Sequence, residues 1–142
     1  IRATFECAKK VPMYQSLRAL GVDVQPSRSV EWAYESARGL LVVTVWHDHI
    51  ECEQDGSLVY RIDTLEWQAA GQGPQAERAA RMRELLARSA GQDVYVLLLK
   101  RGWDAQGTQK AERNAPDVRM WSLETAGDGR FALRRPVAKR AA

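Results

Sequence analysis

Between Leu40 and Trp67 the chain reads LLVVTVWHDHIECEQDGSLVYRIDTLEW, two runs rich in β-branched and aromatic residues around a Gln-Asp-Gly-Ser turn. That is the pattern of a β-hairpin. A three-residue loop over Gln54, Asp55 and Gly56 gives Gly56 the left-handed position such a loop requires. This register sets Cys52 opposite Leu58, Ile50 opposite Tyr60 and Trp46 opposite Thr64 on an apolar face that also holds Ile62. The other face then carries His47 opposite Asp63 and His49 opposite Arg61. A two-residue turn at Asp55-Gly56 would instead set Leu58, Tyr60 and Ile62 among His and Glu, which burial disfavours. The run from Leu40 to Val45 is apolar on both faces, so it predicts a central strand covered by a helix.

The flanking segments fill out a fold around this hairpin. Residues 1–11 read as extended, with a short strand over Arg2–Cys7. Pro12 opens a short helix whose Met13, Leu17 and Leu20 share a face, and Gly21 stops it. A linking loop follows over Val22–Ser29. In SVEWAYE, Val30, Trp32 and Tyr34 alternate as in a strand, while Val30, Ala33, Tyr34 and Ala37 fit a helix stripe. The strand is favoured, because Ser36–Gly39 then turns directly into the hairpin and makes a three-stranded meander. Gln68–Gly73 is loop-like. Pro74 opens the main helix over Gln75–Ser89, with Ala79, Met82, Leu85 and Leu86 inward and the pairs Glu77–Arg81 and Glu84–Arg88 outside. Gly91 ends it, and Val94–Leu99 is a buried strand; a strand–helix–strand course of this length permits a parallel pairing. Lys100–Pro116 reads as a long polar loop with a lone Trp103, and Val118–Leu123 with Arg130–Leu133 as a last hairpin. The expected fold is α+β: one domain over residues 1–142, its mainly antiparallel sheet built on the central hairpin 40–67. The main helix 75–89 and the short N-terminal helix pack it, and the basic tail 136–142 is frayed.

Composition changes this picture little. Apolar residues make up 45% and charged residues 27%, the balance of an ordinary globular chain. No apolar run approaches the roughly 20 residues of a membrane helix, so no membrane partner is expected. Cys7 and Cys52 make no disulfide framework, and Cys52 on the apolar hairpin face reads as a buried thiol of a cytoplasmic protein. The net charge is +3, permissive for nucleic acid without being diagnostic. Arg outnumbers Lys, as a GC-rich genome alone would produce, but basics do cluster at Lys100-Arg101, Lys110, Arg113, Arg119, Arg134-Arg135 and Lys139-Arg140.

Three constellations bear on chemistry. His47, His49, Glu51 and Glu53 alternate on one strand with Asp63 opposite, a spacing at which two His and a carboxylate can bind a metal. A solvated sheet face has the same pattern and is the simpler reading; within it, His47 and Asp63 form the best pair for proton transfer. The acidic pair and Lys of restriction-type nucleases are absent, as are Walker, dinucleotide, paired-Cys and serine-elbow motifs. The third constellation is aromatic and basic. Trp46, Tyr60 and Trp121 are expected in the core, whereas Trp103, in a polar stretch with Lys100, Arg101, Lys110 and Arg113, lacks a packing reason and is suited to contact a ligand.

The course from GSLVYRIDTLEW through PQAERAARMRELLARS to VYVLLLKR resembles the amino-terminal recognition domain of Mcr-type modification-dependent restriction endonucleases. About half the chain carries the resemblance, which implies a reader of methylated or otherwise modified DNA joined to a separate nuclease domain or subunit. The family's HNH nuclease motif is missing, so what is implied is a binding module without cleavage. The stretch after VYVLLLKR is also shorter than the resemblance implies, which leaves the base-contacting positions open. On this reading Lys100, Arg101, Lys110, Arg113, Arg134 and Arg135 hold phosphates, Trp103 and Trp67 lie near bases, and no cofactor is needed. The alternatives are a small metal-dependent or acid–base enzyme using His47, His49 and Asp63, and an accessory protein-interaction subunit docking through Trp32 and a free sheet edge.

Overall fold

The computed structural model describes residues 10–26, 31–107 and 109–137. The strand expected over Arg2–Cys7 and most of the basic tail lie outside the described residues. In chain order the elements are α1 (Met13–Ala19), β1 (Ala33–Glu35), β2 (Leu41–Trp46), a 3-10 turn (His47–His49), β3 (Glu51–Cys52), β4 (Leu58–Asp63), α2 (Thr64–Ala70), α3 (Pro74–Ser89), β5 (Asp93–Trp103), β6 (Gln109–Pro116), β7 (Trp121–Gly127) and β8 (Arg130–Arg135). The fold is α+β, with a mainly antiparallel eight-stranded sheet, the expected main helix and the expected short N-terminal helix.

The doubly apolar run Leu41–Val45 is indeed interior. Leu41, Val43 and Val45 join the larger core with Met82 and Leu86 of α3, while Val42 joins a second core on the opposite face with Leu17, Leu97 and Leu99. Burying both faces needs partners on both edges too. β2 therefore pairs antiparallel with β1 and parallel with β5, the one parallel ladder among those described.

The strand order is β1-β2-β5-β7-β8-β4-β3, with β6 added to β5. The long strand β5 is shared. Tyr95–Leu99 pair with β2, Leu97–Trp103 with β6, and only Asp93 and Val94 with β7. Two arms thus leave β5, one made of β2 and β1, the other of β7, β8, β4 and β3.

The central hairpin survives only at its tip. Cys52 faces Leu58 as expected, Gly56 has φ of +88°, and the Asp55 carboxylate accepts the Ser57 backbone N–H at 2.9 Å and its hydroxyl at 2.6 Å. Those bonds hold the Asp55 carboxyl below its ordinary pKa. Beyond the tip the arms part. Trp46 pairs with Leu99 rather than Thr64, and Asp63 pairs with Arg130 rather than His47. The cause is β2 itself, whose two apolar faces are covered only inside the sheet, while the polar His47-Asp48-His49 segment turns the chain toward the second arm. Cys52, expected to be buried, is exposed.

Two further expectations are corrected. Lys100–Pro116 is not a loop but a β-hairpin, in which β5 continues to Trp103 and β6 returns along it. The polar side chains disguised it, yet β6 is an outer strand where they are at home, with Asn114 and Ala115 its buried residues. Gln68–Ala70 belong to α2, which starts at Thr64 because Asp63 caps it, accepting the Glu66 N–H at 3.0 Å. The Asp-x-x-Glu spacing of Asp63 and Glu66 is the signal for that helix start. Among the described residues no helix is long and apolar enough to cross a membrane.

Candidate functional site

A pocket of about 550 Å³ opens where the two arms of the sheet face α2 and α3. The first arm supplies Trp32, Thr44 and Trp46, the second Tyr60, and the turn between them His49. Trp67 of α2, Gln75 and Met82 of α3 and Arg101 of β5 complete the wall. Three of these residues are tryptophans brought from three separate segments, and each is only half buried.

Each ring is positioned by something local. The Thr44 backbone N–H and hydroxyl both donate to the Trp32 carbonyl at 3.0 Å, fastening the approach to β1 against β2. Trp67 meets Trp32 edge to face, with ring centroids 6.0 Å apart and planes at 88°. Its helix is pinned at the start, where the Thr64 N–H and hydroxyl donate to the Gly129 carbonyl at 2.9 and 2.6 Å. Gly129 has φ of +69°, and a Cβ there would lie 2.5 Å from Leu65 Cγ, so the β7–β8 turn and α2 fit directly against each other. Farther along, Arg83 donates to the Gln68 side-chain carbonyl at 2.6 Å and ties α2 to α3.

Arg101 is the pocket's cation. Its guanidinium lies 4.2 Å over the Trp46 ring, its Nε–H donates to Asp48 at 2.7 Å, and Nη2 lies 3.1 Å from His49 Nε2. Arginine only donates, so any hydrogen bond in this contact is accepted by His49 Nε2. The Arg101 side chain is 15% exposed, and among the described residues no Asp or Glu lines the pocket. Burial pushes the Tyr60 phenol up to about 12, with the Trp46 backbone N–H and the Arg101 charge opposing it, so the hydroxyl stays neutral and able to donate.

Of the residues singled out from sequence, Trp67, Arg101 and His49 meet in this pocket. Lys100, Trp103, Lys110 and Arg113 all stand on the β5–β6 hairpin that continues from it. Lys100 faces Arg113 across the ladder, Lys110 faces Gly102, and Trp103 is 64% exposed at the far end. Arg134 and Arg135 are elsewhere, on β8. Arg134 donates to Glu124, and Arg135 holds the buried Asp117 at 2.9 Å. His47 and Asp63 are not cross-strand partners, since Asp63 caps α2. Among the described residues no three His, Cys, Asp or Glu side chains converge to hold a metal. Trp46, Tyr60 and Gln75 belong to the site without having been marked for it, and Trp32, singled out as a docking residue, is there too. Their gathering depends on long-range packing that no local spacing signals.

No protein-family model, curated protein or solved structure matches the chain.

Proposed function

We propose that this chain is a nucleic-acid-binding module, a DNA reader with no cleavage chemistry of its own. The observation that carries the reading is the β5–β6 hairpin, on which Lys100, Arg101, Lys110 and Arg113 follow one another along two paired strands and an exposed Trp103 stands at the end. Lys100 lies directly opposite Arg113 in this ladder, so the hairpin sets two cations side by side where one anion can reach both. Phosphates supply that anion at regular spacing, and an exposed indole gives bases a stacking surface. The module works in the cytoplasm, with methylated or otherwise modified DNA as its preferred target and a nuclease domain or subunit as the effector it serves.

The test is a salt titration of binding to plain duplex, cytosine-modified duplex and single-stranded DNA. Binding is expected to weaken steeply as salt rises, because every neutralised phosphate releases counterions. Absence of binding to all three at low salt disproves the reading.

A further inference from the structure

We propose that the aromatic pocket binds a small organic anion, a one- or two-ring aromatic carboxylate, with its ring among the tryptophans and its carboxylate on Arg101. The proposal goes beyond nucleic-acid binding, and its test needs no DNA. The volume of about 550 Å³ lies within the range of small-ligand sites, roughly 300–1,000 Å³. The wall has an apolar and a polar part. Trp32 and Trp67 stand at 88° to each other, which gives a flat ring one face to stack on and one edge to abut, and Met82 adds further apolar surface. Arg101, His49, Tyr60 and Gln75 make the polar part.

Arg101 is not a bare cation. Asp48 accepts its Nε–H at 2.7 Å, so the pair carries no net charge to attract or repel a ligand from a distance. What selects the ligand is which charged groups reach the wall. The guanidinium lines it, whereas the Asp48 carboxylate does not and is 39% exposed to water. Of the guanidinium nitrogens, Nε is held by Asp48 and Nη2 lies 3.1 Å from His49, while Nη1 has no partner among the described residues. An arginine has five N–H donors in a flat fork, enough for two carboxylates at once. An incoming carboxylate therefore finds unused donors on Arg101, and the neutral Tyr60 hydroxyl is a further one. A cationic ligand meets the reverse, because Arg101 already lies 4.2 Å over the Trp46 ring and no acidic residue lines the wall among the described residues. Asp48 is then the ligand's rival. Whether the incoming carboxylate shares the guanidinium with Asp48 or replaces it there, the aspartate charge opposes its binding.

That rivalry provides the test. Calorimetric titration at low salt compares three ligands with one ring system, naphthylacetate, naphthylacetamide and naphthylethylamine, on the unaltered protein, Asp48→Asn and Arg101→Gln. The acid is expected to bind roughly tenfold or more tighter than the amide, as for a hydrogen bond to a charged group, and the amine weakest. Asp48→Asn keeps an oxygen for the Arg101 Nε–H but removes the rival charge, so it should tighten the acid roughly two- to fivefold and leave the amide unchanged. Such a gain cannot come from a damaged fold. Arg101→Gln should bring acid and amide level. Tightest binding of the amine overturns the proposal in favour of a cation cage, and an amide as tight as the acid overturns it in favour of a neutral ring. Binding of none of the three at millimolar concentration overturns it outright. So does an acid affinity unchanged in Asp48→Asn, or a preference that survives Arg101→Gln, because the anion then sits elsewhere. DNA binding stands or falls separately, on its own salt titration.

Discussion

Arg101 on the shared strand β5 and Arg135 on β8 each hold an aspartate, at 2.7 and 2.9 Å, yet the two pairs do different work. Asp117, the partner of Arg135, has a side chain only 2% exposed, and the same oxygen accepts the Trp121 indole N–H at 2.7 Å. Trp121 is fully buried, so this carboxylate satisfies a donor in the heart of the core. Asp48, the partner of Arg101, is 39% exposed, so this carboxylate stays in contact with water although the Arg101 side chain is only 15% exposed. A wet ion pair contributes about 0–1 kcal/mol, whereas leaving one member of a buried network unpaired costs several. On β8, Arg135 is therefore used to hold the core together. On β5, Arg101 has a partly solvated partner that an anion can exchange with, beside a pocket.

The sharpest way to break this contrast is to remove the two acids. Asp117→Ala should cost about 3–5 kcal/mol in urea unfolding, and Asp48→Ala no more than about 1. Equal losses would erase the distinction between the two pairs. Next in size is Arg101→Ala. It should leave unfolding within about 1 kcal/mol of the parent, while DNA affinity falls roughly tenfold to a hundredfold, as for a lost hydrogen bond to a charged group. A third comparison sets Lys100→Ala against Arg134→Ala. The first should reduce the slope of log affinity against log salt by about 1, and the second should leave it unchanged.

The smallest effect concerns two buried phenols. Burial raises both Tyr60, beside the pocket, and Tyr34, under the opposite core, to about 12 from an ordinary 10.0. The folded chain thus keeps protons that the unfolded chain releases, so their contribution is intact below pH 10 and is lost progressively toward pH 12. The Tyr34 hydroxyl has no hydrogen-bond partner among the described residues; the Glu31 backbone N–H tempers its shift without reaching bonding geometry. Tyr34→Phe should accordingly leave stability at neutral pH unchanged or raise it by up to about 1 kcal/mol. It should also flatten the alkaline decline, as followed by denaturation at stepped pH.

The elements written in local spacing were legible. The 3.6-residue stripe of Ala79, Met82 and Leu86 gave α3, and Gly56 gave the tip of the β3–β4 hairpin. The two apolar faces of Leu41–Val45 marked β2 as interior. Pairing was less legible, because a strand apolar on both faces does not say which neighbours cover it, and β2 chose β5 over β4. The same limit hid β6, whose polar residues are compatible with a loop or with an outer strand. Of the site, Arg101 and Trp67 were marked by type and neighbourhood. Trp46 and Tyr60 read as packing residues and Trp32 as an exposed docking residue, yet all three rings touch the core; only the meeting of the two arms turns their remaining surface into a wall.

The bond pair from Thr64 to the Gly129 carbonyl gives the pocket a remote adjuster. The turn joining β7 and β8 holds no pocket residue, yet it sets where α2 begins and so the angle at which Trp67 enters. With Leu65 already against Gly129, even a methyl group added at the turn has to be absorbed by tilting the helix. The shape of the pocket can therefore be retuned in small steps by substitutions in a turn that contributes nothing to its wall, while every wall residue stays the same.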